Sequence, residues 1–198
     1  MDGAEFCRRL RADRRYSHIP LVLLTAKTDD DSKTEGMNCG ADAYIEKPFS
    51  VQYLKACIKN MLDIRHNLFL KYSASPNAPI TEVTSSELDN ELLLRMTQII
   101  EENIDSSELN VNFLAERLSI SRSGLFAKIK AIADVTPNEL IQIVRLKRAA
   151  HLLTERKYRI NEVSYMVGFS SPSYFSKCFQ RQFGVKPGEY ADSHAITS

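Results

Sequence analysis

The sequence predicts a mainly α protein in which a short α/β segment precedes an all-α domain made of two helix-turn-helix units. Three observations carry this. A pattern of apolar residues, small residues and turn signals occurs twice between Val111 and Pro187. In the first seventy residues, two short apolar runs, His18–Thr25 and Ala43–Glu46, alternate with helical patterns. A stretch rich in Ser, Thr and Pro, Tyr72 to Ser86, separates the two regions. The expected organisation is an N-terminal segment at 1–71, a linker at 72–86 and a C-terminal domain at 87–198.

Of the 198 residues, 43% are hydrophobic and 26% charged, ordinary values for a globular chain. The net charge of +1 hides an uneven distribution. Residues 1–71 carry 12 basic and 10 acidic side chains, and residues 72–105 carry 1 basic against 7 acidic. Residues 106–198 carry 13 basic against 8 acidic, a local net of +5. A basic domain behind an acidic connector suits an anionic partner for that domain alone. Cys7, Cys39, Cys57 and Cys178 form no Cys-x-x-Cys pair, and the four histidines are scattered, so neither a disulfide framework nor a metal site is expected. There is no Ser/His/Asp set, Gly-rich phosphate loop or paired-carboxylate pocket to suggest an enzyme, and no catalytic residue is named. No run of about 18 apolar residues and no signal-peptide pattern occur, which points to the cytoplasm without membrane contact. A longer parent polypeptide could still be membrane-anchored.

Taken in order, Ala4–Ala12 reads as a helix with Phe6 and Leu10 at helical spacing. The run 18–25 is too short for a helix and reads as a strand buried on both faces, as in parallel sheets. Asp29 to Asn38 is a helical crossover closing at Cys39-Gly40, and Ala43–Glu46 is a second strand. Ser50 then caps a helix with Val51, Leu54, Ile58 and Leu62 on one face. The order is that of a βαβ unit.

Three motifs here, Met1-Asp-Gly3, Leu-Leu-Thr-Ala26 and Gly40-Ala-Asp-Ala-Tyr-Ile-Glu-Lys-Pro-Phe49, resemble the C-terminal half of a response-regulator receiver domain, a flavodoxin-like fold. The resemblance implies that Thr25 is the switch hydroxyl, Tyr44 the switch aromatic and Lys47 the phosphate-contacting lysine. A phosphorylated aspartate needs such a cation and hydroxyl to hold its oxygens. In the family, the acceptor aspartate lies a few residues before the Met-Asp-Gly motif, and the Mg²⁺-holding acidic pair lies further upstream. Neither is expected in this chain: no phosphoacceptor, no Mg²⁺ site, no other cofactor. Thr25, Tyr44 and Lys47 then read as relics of a switch, and the chain as a truncated receiver, either a fragment of a longer protein or a degenerate docking form. A sheet so shortened is expected to expose the apolar residues at 20–24 and 43–45, and to be marginally stable or to pair with another chain.

Leu92, Leu93, Met96, Ile99 and Ile100 recur at helical spacing from about Glu87 to Asn103, an amphipathic helix expected to pack on the following domain. The duplicated unit comes next. In its first copy Asn110 caps Val111–Leu118, Ser119-Ile-Ser121 turns, and the second helix begins at Arg122, with Leu125 and Ile129 inward. In its second copy Ile160–Val167 is followed by a turn at Gly168-Phe169 and a helix from Ser171 or Pro172 to Phe183, with Phe175 and Phe179 inward. The units span 111–131 and 160–183. A helix at 138–154 links them, roughly 25 Å long at 1.5 Å per residue. The second unit is expected to carry the larger aromatic core.

Leu114-Ala-Glu-Arg-Leu-Ser-Ile-Ser-Arg-Ser123, Arg145–Leu153, Val167-Gly-Phe-Ser-Ser-Pro-Ser-Tyr-Phe175 and Phe183-Gly-Val-Lys-Pro-Gly-Glu-Tyr190 resemble the DNA-binding domain of the AraC/XylS family. The resemblance implies two recognition helices in successive major grooves, held about a helical turn (~34 Å) apart. It gives base-edge roles to Arg122, Ser123, Phe126 and Ala127 in the first unit and to Ser173, Tyr174 and Lys177 in the second. Lys128, Lys130, Arg181 and Lys186 are the phosphate candidates. Phe126 and Ala127 can touch a thymine methyl but cannot hydrogen-bond a base, so the first helix leans on Arg122. The Arg145-Lys147-Arg148 cluster reads equally as structural, paired with Glu139 or Glu155.

The expected function is a sequence-specific DNA-binding transcription regulator of a bacterial two-component phosphorelay, with promoter DNA as partner. RNA polymerase and a second copy of the chain are further partners left open; no small-molecule ligand is evident. The alternative is a protein-docking module with DNA binding secondary. Receiver and AraC-type domain in this order also resemble the C-terminal end of hybrid sensor kinases.

Overall fold

The computed structural model describes residues 2–26, 38–80, 83–84 and 86–194. Asp2 caps helix α1 (Gly3–Ala12), its carboxylate accepting the Glu5 N–H at 2.8 Å. Strands β1 (Val22–Thr25) and β2 (Ala43–Glu46) pair in parallel, Val22 opposite Ala43 and Thr25 opposite Glu46. The crossover expected at Asp29 to Asn38 lies almost wholly outside the described residues. Ile45 is buried as a core strand residue should be, whereas Leu24 is 42% exposed, so β1 is not covered on both faces.

Asp42 fastens this segment. One carboxylate oxygen accepts from Arg11 and from the Leu21 N–H (2.7 Å), the other from Arg65 at 2.6 Å. A single side chain therefore ties α1, the start of β1 and helix α2 (Val51–Ala74) together. Ser50 caps α2 as expected, accepting the Tyr53 N–H at 3.1 Å.

Helix α2 runs unbroken for 24 residues, roughly 36 Å. It departs from the sequence reading in what it buries. The face expected to be buried is largely open: Val51 is 61% exposed, Ile58 40% and Leu62 50%. Its C-terminal end is buried instead, with Phe69, Tyr72 and Ser73 sunk into the core of the following domain. The stretch expected to be a linker is not a free spacer. Ile80 and Val83 join the same core, and Lys147 donates to the carbonyls of Tyr72 (3.1 Å) and Ala78 (2.8 Å). Few apolar residues in 72–86 suggested a spacer, but those few are the ones that anchor.

The rest is helical: α3 (Glu87–Glu102), α4 (Val111–Arg117), α5 (Arg122–Ala133), α6 (Pro137–Thr154), α7 (Ile160–Met166), α8 (Pro172–Phe183) and α9 (Pro187–Ser193). Leu93, Met96, Ile99 and Ile100 of α3 are buried, with Leu92 partly so, as the amphipathic pattern requires. Helix α6 starts on a capping box, Thr136 and Glu139 each bonding the other's backbone N–H. It serves two cores at once. Leu140, Ile141, Ile143 and Val144 pack with α3, α4 and α5, whereas Leu146, Ala149, Ala150, Leu152 and Leu153 pack with α7, α8 and α9.

Candidate nucleic-acid interface

The two copies of the repeat turn alike, although their first helices start differently: Asn110 caps α4 with its side chain and Arg159, before α7, does not. Asn110 caps α4 through bonds to the N–H groups of Asn112 and Phe113. In the first turn the Ile120 N–H donates to Ala115 O at 2.9 Å; in the second the Phe169 N–H donates to Ser164 O at 2.9 Å. Ser119 (φ 55°) and Gly168 (φ 79°) occupy the same left-handed position. Ala115 and Ser164, both buried and small, let the paired helices cross closely. Ser121 and Ser171 then cap α5 and α8, accepting from the N–H groups of Gly124 and Tyr174. Asp134 and Gly184, both left-handed, end those helices at equivalent places.

This construction sets the N-terminal turns of α5 and α8 on the surface. Arg122, Ser123 and Ala127 are exposed on α5, and Ser173, Tyr174 and Lys177 on α8. Arg181 and Lys186 are exposed too. Lys130 is exposed but holds an ion pair with Asp134 at 2.7 Å, so its charge is already partly engaged.

Two of the expected contacts need correction. Phe126, expected to face outward toward base edges, is half-buried against the core, and the Arg122 guanidinium lies 5.6 Å from its ring centroid. Its apolar ring gains more from partial burial than from water, so it supports Arg122 rather than standing beside it. Lys128, expected to contact phosphate, turns to the opposite flank of α5, where its ammonium donates to the carbonyl of Arg14. Burial there lowers the pKa of Lys128. Helical spacing separates Lys128 from Lys130 by about 200°, so the two lie on opposite flanks of α5, and it is the Arg14 carbonyl that holds Lys128.

Arg145 and Lys147 of the basic cluster on α6 are structural, with partners other than Glu139 and Glu155, whereas Arg148 is exposed. Arg145 donates to the carbonyls of Ile104 (3.1 Å) and Ser106 (3.3 Å). Lys147, 8% exposed, sits 3.5 Å from the Tyr72 ring centroid, and burial brings its pKa down to about 8. Gln142 donates to Cys178 Sγ at 2.7 Å, tying α6 to α8. Nothing in the local pattern marks these partners, since each is a backbone carbonyl or a thiol distant in sequence. The aromatic core of the second unit is as expected and larger: Phe169, Phe175, Phe179 and Phe183 form a chain of ring contacts that Tyr190 closes.

At the other end of the molecule, the Lys47 N–H donates to Thr25 O at 2.7 Å, placing these two residues together at the C-terminal ends of the paired strands. Tyr44 lies on the same sheet, opposite Leu23. Asp2 is spent on capping α1. Among the described residues no group of three or more His, Cys, Asp and Glu is placed to hold a metal ion. No helix among them is long and apolar enough to cross a membrane.

Residues 114–193 match the family model of a helix-turn-helix domain, and residues 1–59 that of the response regulator receiver domain. Histidine kinase P4 of Formosa agariphila is 44% identical over 195 residues, which is 98% of this chain and 14% of that protein. The phosphate regulon transcriptional regulatory protein PhoB of Pseudomonas aeruginosa is 47% identical over 60 residues, 30% of this chain and 26% of PhoB. A solved transcriptional regulator from Chromobacterium violaceum, described with an AraC-type DNA-binding domain, is 26% identical with a TM-score of 0.51, covering 55% of this chain and 96% of its own. The chain spans a minor part of the length of these curated relatives.

Proposed function

The chain joins receiver-domain sequence to an AraC-type helix-turn-helix domain, and on that premise we propose that it is the DNA-reading output end of a bacterial two-component phosphorelay. The observation that carries this is the repeated turn, with Ile120 on Ala115 and Phe169 on Ser164, which sets two capped helices with open N-terminal faces on one linker helix. Arg122, Ser123 and Ala127 read base edges from α5; Ser173, Tyr174 and Lys177 read them from α8. Lys130, Arg181 and Lys186 hold phosphates. The chemistry is binding rather than catalysis, in the cytoplasm, with promoter DNA as the partner. RNA polymerase and self-association are the further contacts such an output end would use.

The test is fluorescence anisotropy of the full chain with duplexes selected from a randomised pool, titrated with salt. Enrichment of a bipartite site, with affinity falling steeply as salt rises, supports the reading. A chain that enriches no sequence and binds no duplex at low salt overturns it.

A further inference from the structure

The receiver segment touches the two reading units differently. Its loop 13–19, after α1, seats on the first. Ser17 Oγ donates to Asp89 Oδ1 of α3 at 2.7 Å, and both residues are only 2% exposed. Beside them Arg14 pairs with Glu91 at 3.0 Å, and the Arg14 carbonyl accepts from Lys128 of α5. The carboxylate of Asp89 also lies in the electrostatic field of Lys128. Loop, α3 and α5 thus share one polar junction, above a cavity of about 440 Å³ whose apolar side is Leu88, Leu92, Leu118 and Ile120. Leu118 precedes the turn of the first unit and Ile120 lies in it. The second unit meets the segment before α3 through Gln182, which donates to Ser73 O at 2.6 Å, at the end of α2 that is built into the domain core.

With the loop seated, Asp89 has its hydrogen bond and Lys128 is held off the reading face. With the loop lifted, a buried carboxylate loses its partner unless water enters, so partial displacement is the costly arrangement. Lifting also frees Lys128, next to Ala127 on α5, to reach a phosphate.

Resting on the DNA-binding reading above, we propose that the Ser17–Asp89–Lys128 junction is the contact through which the receiver segment governs the first helix-turn-helix unit alone, withholding Lys128 from DNA while the loop is seated. The second unit is then the standing anchor, and the first the regulated reader.

The experiment compares the wild-type chain, Ser17→Asp, Ser17→Ala and Ser17→Asp/Lys128→Met on the duplex that the wild-type chain enriches from a randomised pool. Ser17→Asp sets like charges together and lifts the loop. Circular dichroism checks folding; where Ser17→Asp fails to fold, Ser17→Ala, which removes the donor to Asp89, carries the same test. The half-site of the first unit is identified as the one whose preference Arg122→Ala relaxes. The expected result is a salt slope steeper by about one in the opened variants, a changed preference confined to that half-site, and return of the wild-type slope on adding Lys128→Met. An unchanged slope and unchanged preference in a folded opened variant overturns the proposal. So does a change of equal size in both half-sites. If the wild-type chain enriches no duplex, it is the DNA-binding reading itself that has failed.

Discussion

Arg145 donates through Nε to the carbonyl of Ile104 at 3.1 Å, and this pair forms the wall against which Gly168 turns. A Cβ at Gly168 would stand 2.3 Å from the Ile104 oxygen and 2.6 Å from the Arg145 guanidinium. The glycine of the second turn is thus required twice, for its left-handed φ and for its lack of a side chain.

Gly168→Ala is accordingly expected to cost about 3 kcal/mol or more, since backbone must move as well as strain be absorbed. Gly184→Ala is its control. Gly184 has the same φ of 79°, yet nothing lies within 4 Å of its would-be Cβ, so only the left-handed strain of about 1 kcal/mol remains. Urea unfolding of the two variants should separate them by roughly 2 kcal/mol; equal costs would mean that the close approach to Arg145 and Ile104 relaxes without penalty.

Lys147 makes stability depend on pH in a defined direction. Burial lowers its pKa to about 8, whereas the unfolded chain keeps that proton to about 10.4. Between pH 8 and 10 the unfolded state therefore binds more protons at this site, and folding stability rises with pH there, by at most about 1.4 kcal/mol per pH unit. Below pH 8 both states are protonated and the contribution is flat. Above pH 10 the buried Tyr72 hydroxyl, whose pKa burial raises, keeps its proton in the folded state and opposes the trend. Denaturation midpoints of wild type and Lys147→Met at pH 7.5, 9 and 10 check this, because the rise is steeper in wild type than in the variant.

Arg122→Ala is expected to weaken specific DNA binding by about 1–3 kcal/mol and to relax preference at one half-site. Lys130→Ala should weaken binding to all duplexes alike and flatten the salt slope by about one, less whatever the Asp134 ion pair already withholds. Anisotropy titrations across a salt series distinguish the two patterns.

Asp42→Ala strips acceptors from Arg11, from Arg65 and from the Leu21 N–H at one stroke. About 2–4 kcal/mol is expected from leaving those donors without their carboxylate. The loss should fall on the segment before α3, so that an early transition separates from unfolding of the helical domain. Amide exchange should then rise in β1 and β2 ahead of α6. A single cooperative transition shifted as a whole would show that the segment and the domain unfold as one unit.

Much of the helical domain was legible beforehand because its signals are local. Asn110 and Ser121 cap the helices they were placed to cap, and Phe175 and Phe179 face inward at the spacing that predicts it. The outward residues of α8 were equally readable, since helical period alone separates Tyr174 from Phe175. Phe126 was misjudged because it lies at the edge of the buried face of α5, where period gives a direction but not the depth of a neighbour. The open face of α2 was misjudged because an apolar stripe states what could be buried, not what is at hand to bury it.

The sequence by itself determined that this chain has two helix-turn-helix units, where each turn lies and which helix ends are capped, since these depend on residues within one or two turns of each other. Only the tertiary structure decided that Lys128 faces the receiver loop rather than DNA, that Lys147 and Arg145 bind backbone carbonyls of the connector, and that the end of α2 belongs to the core of the domain it precedes. Those outcomes rest on partners up to 114 positions away. A cation with no nearby carboxylate takes whichever carbonyl the packed helices bring within reach, and no local pattern records that carbonyl in advance.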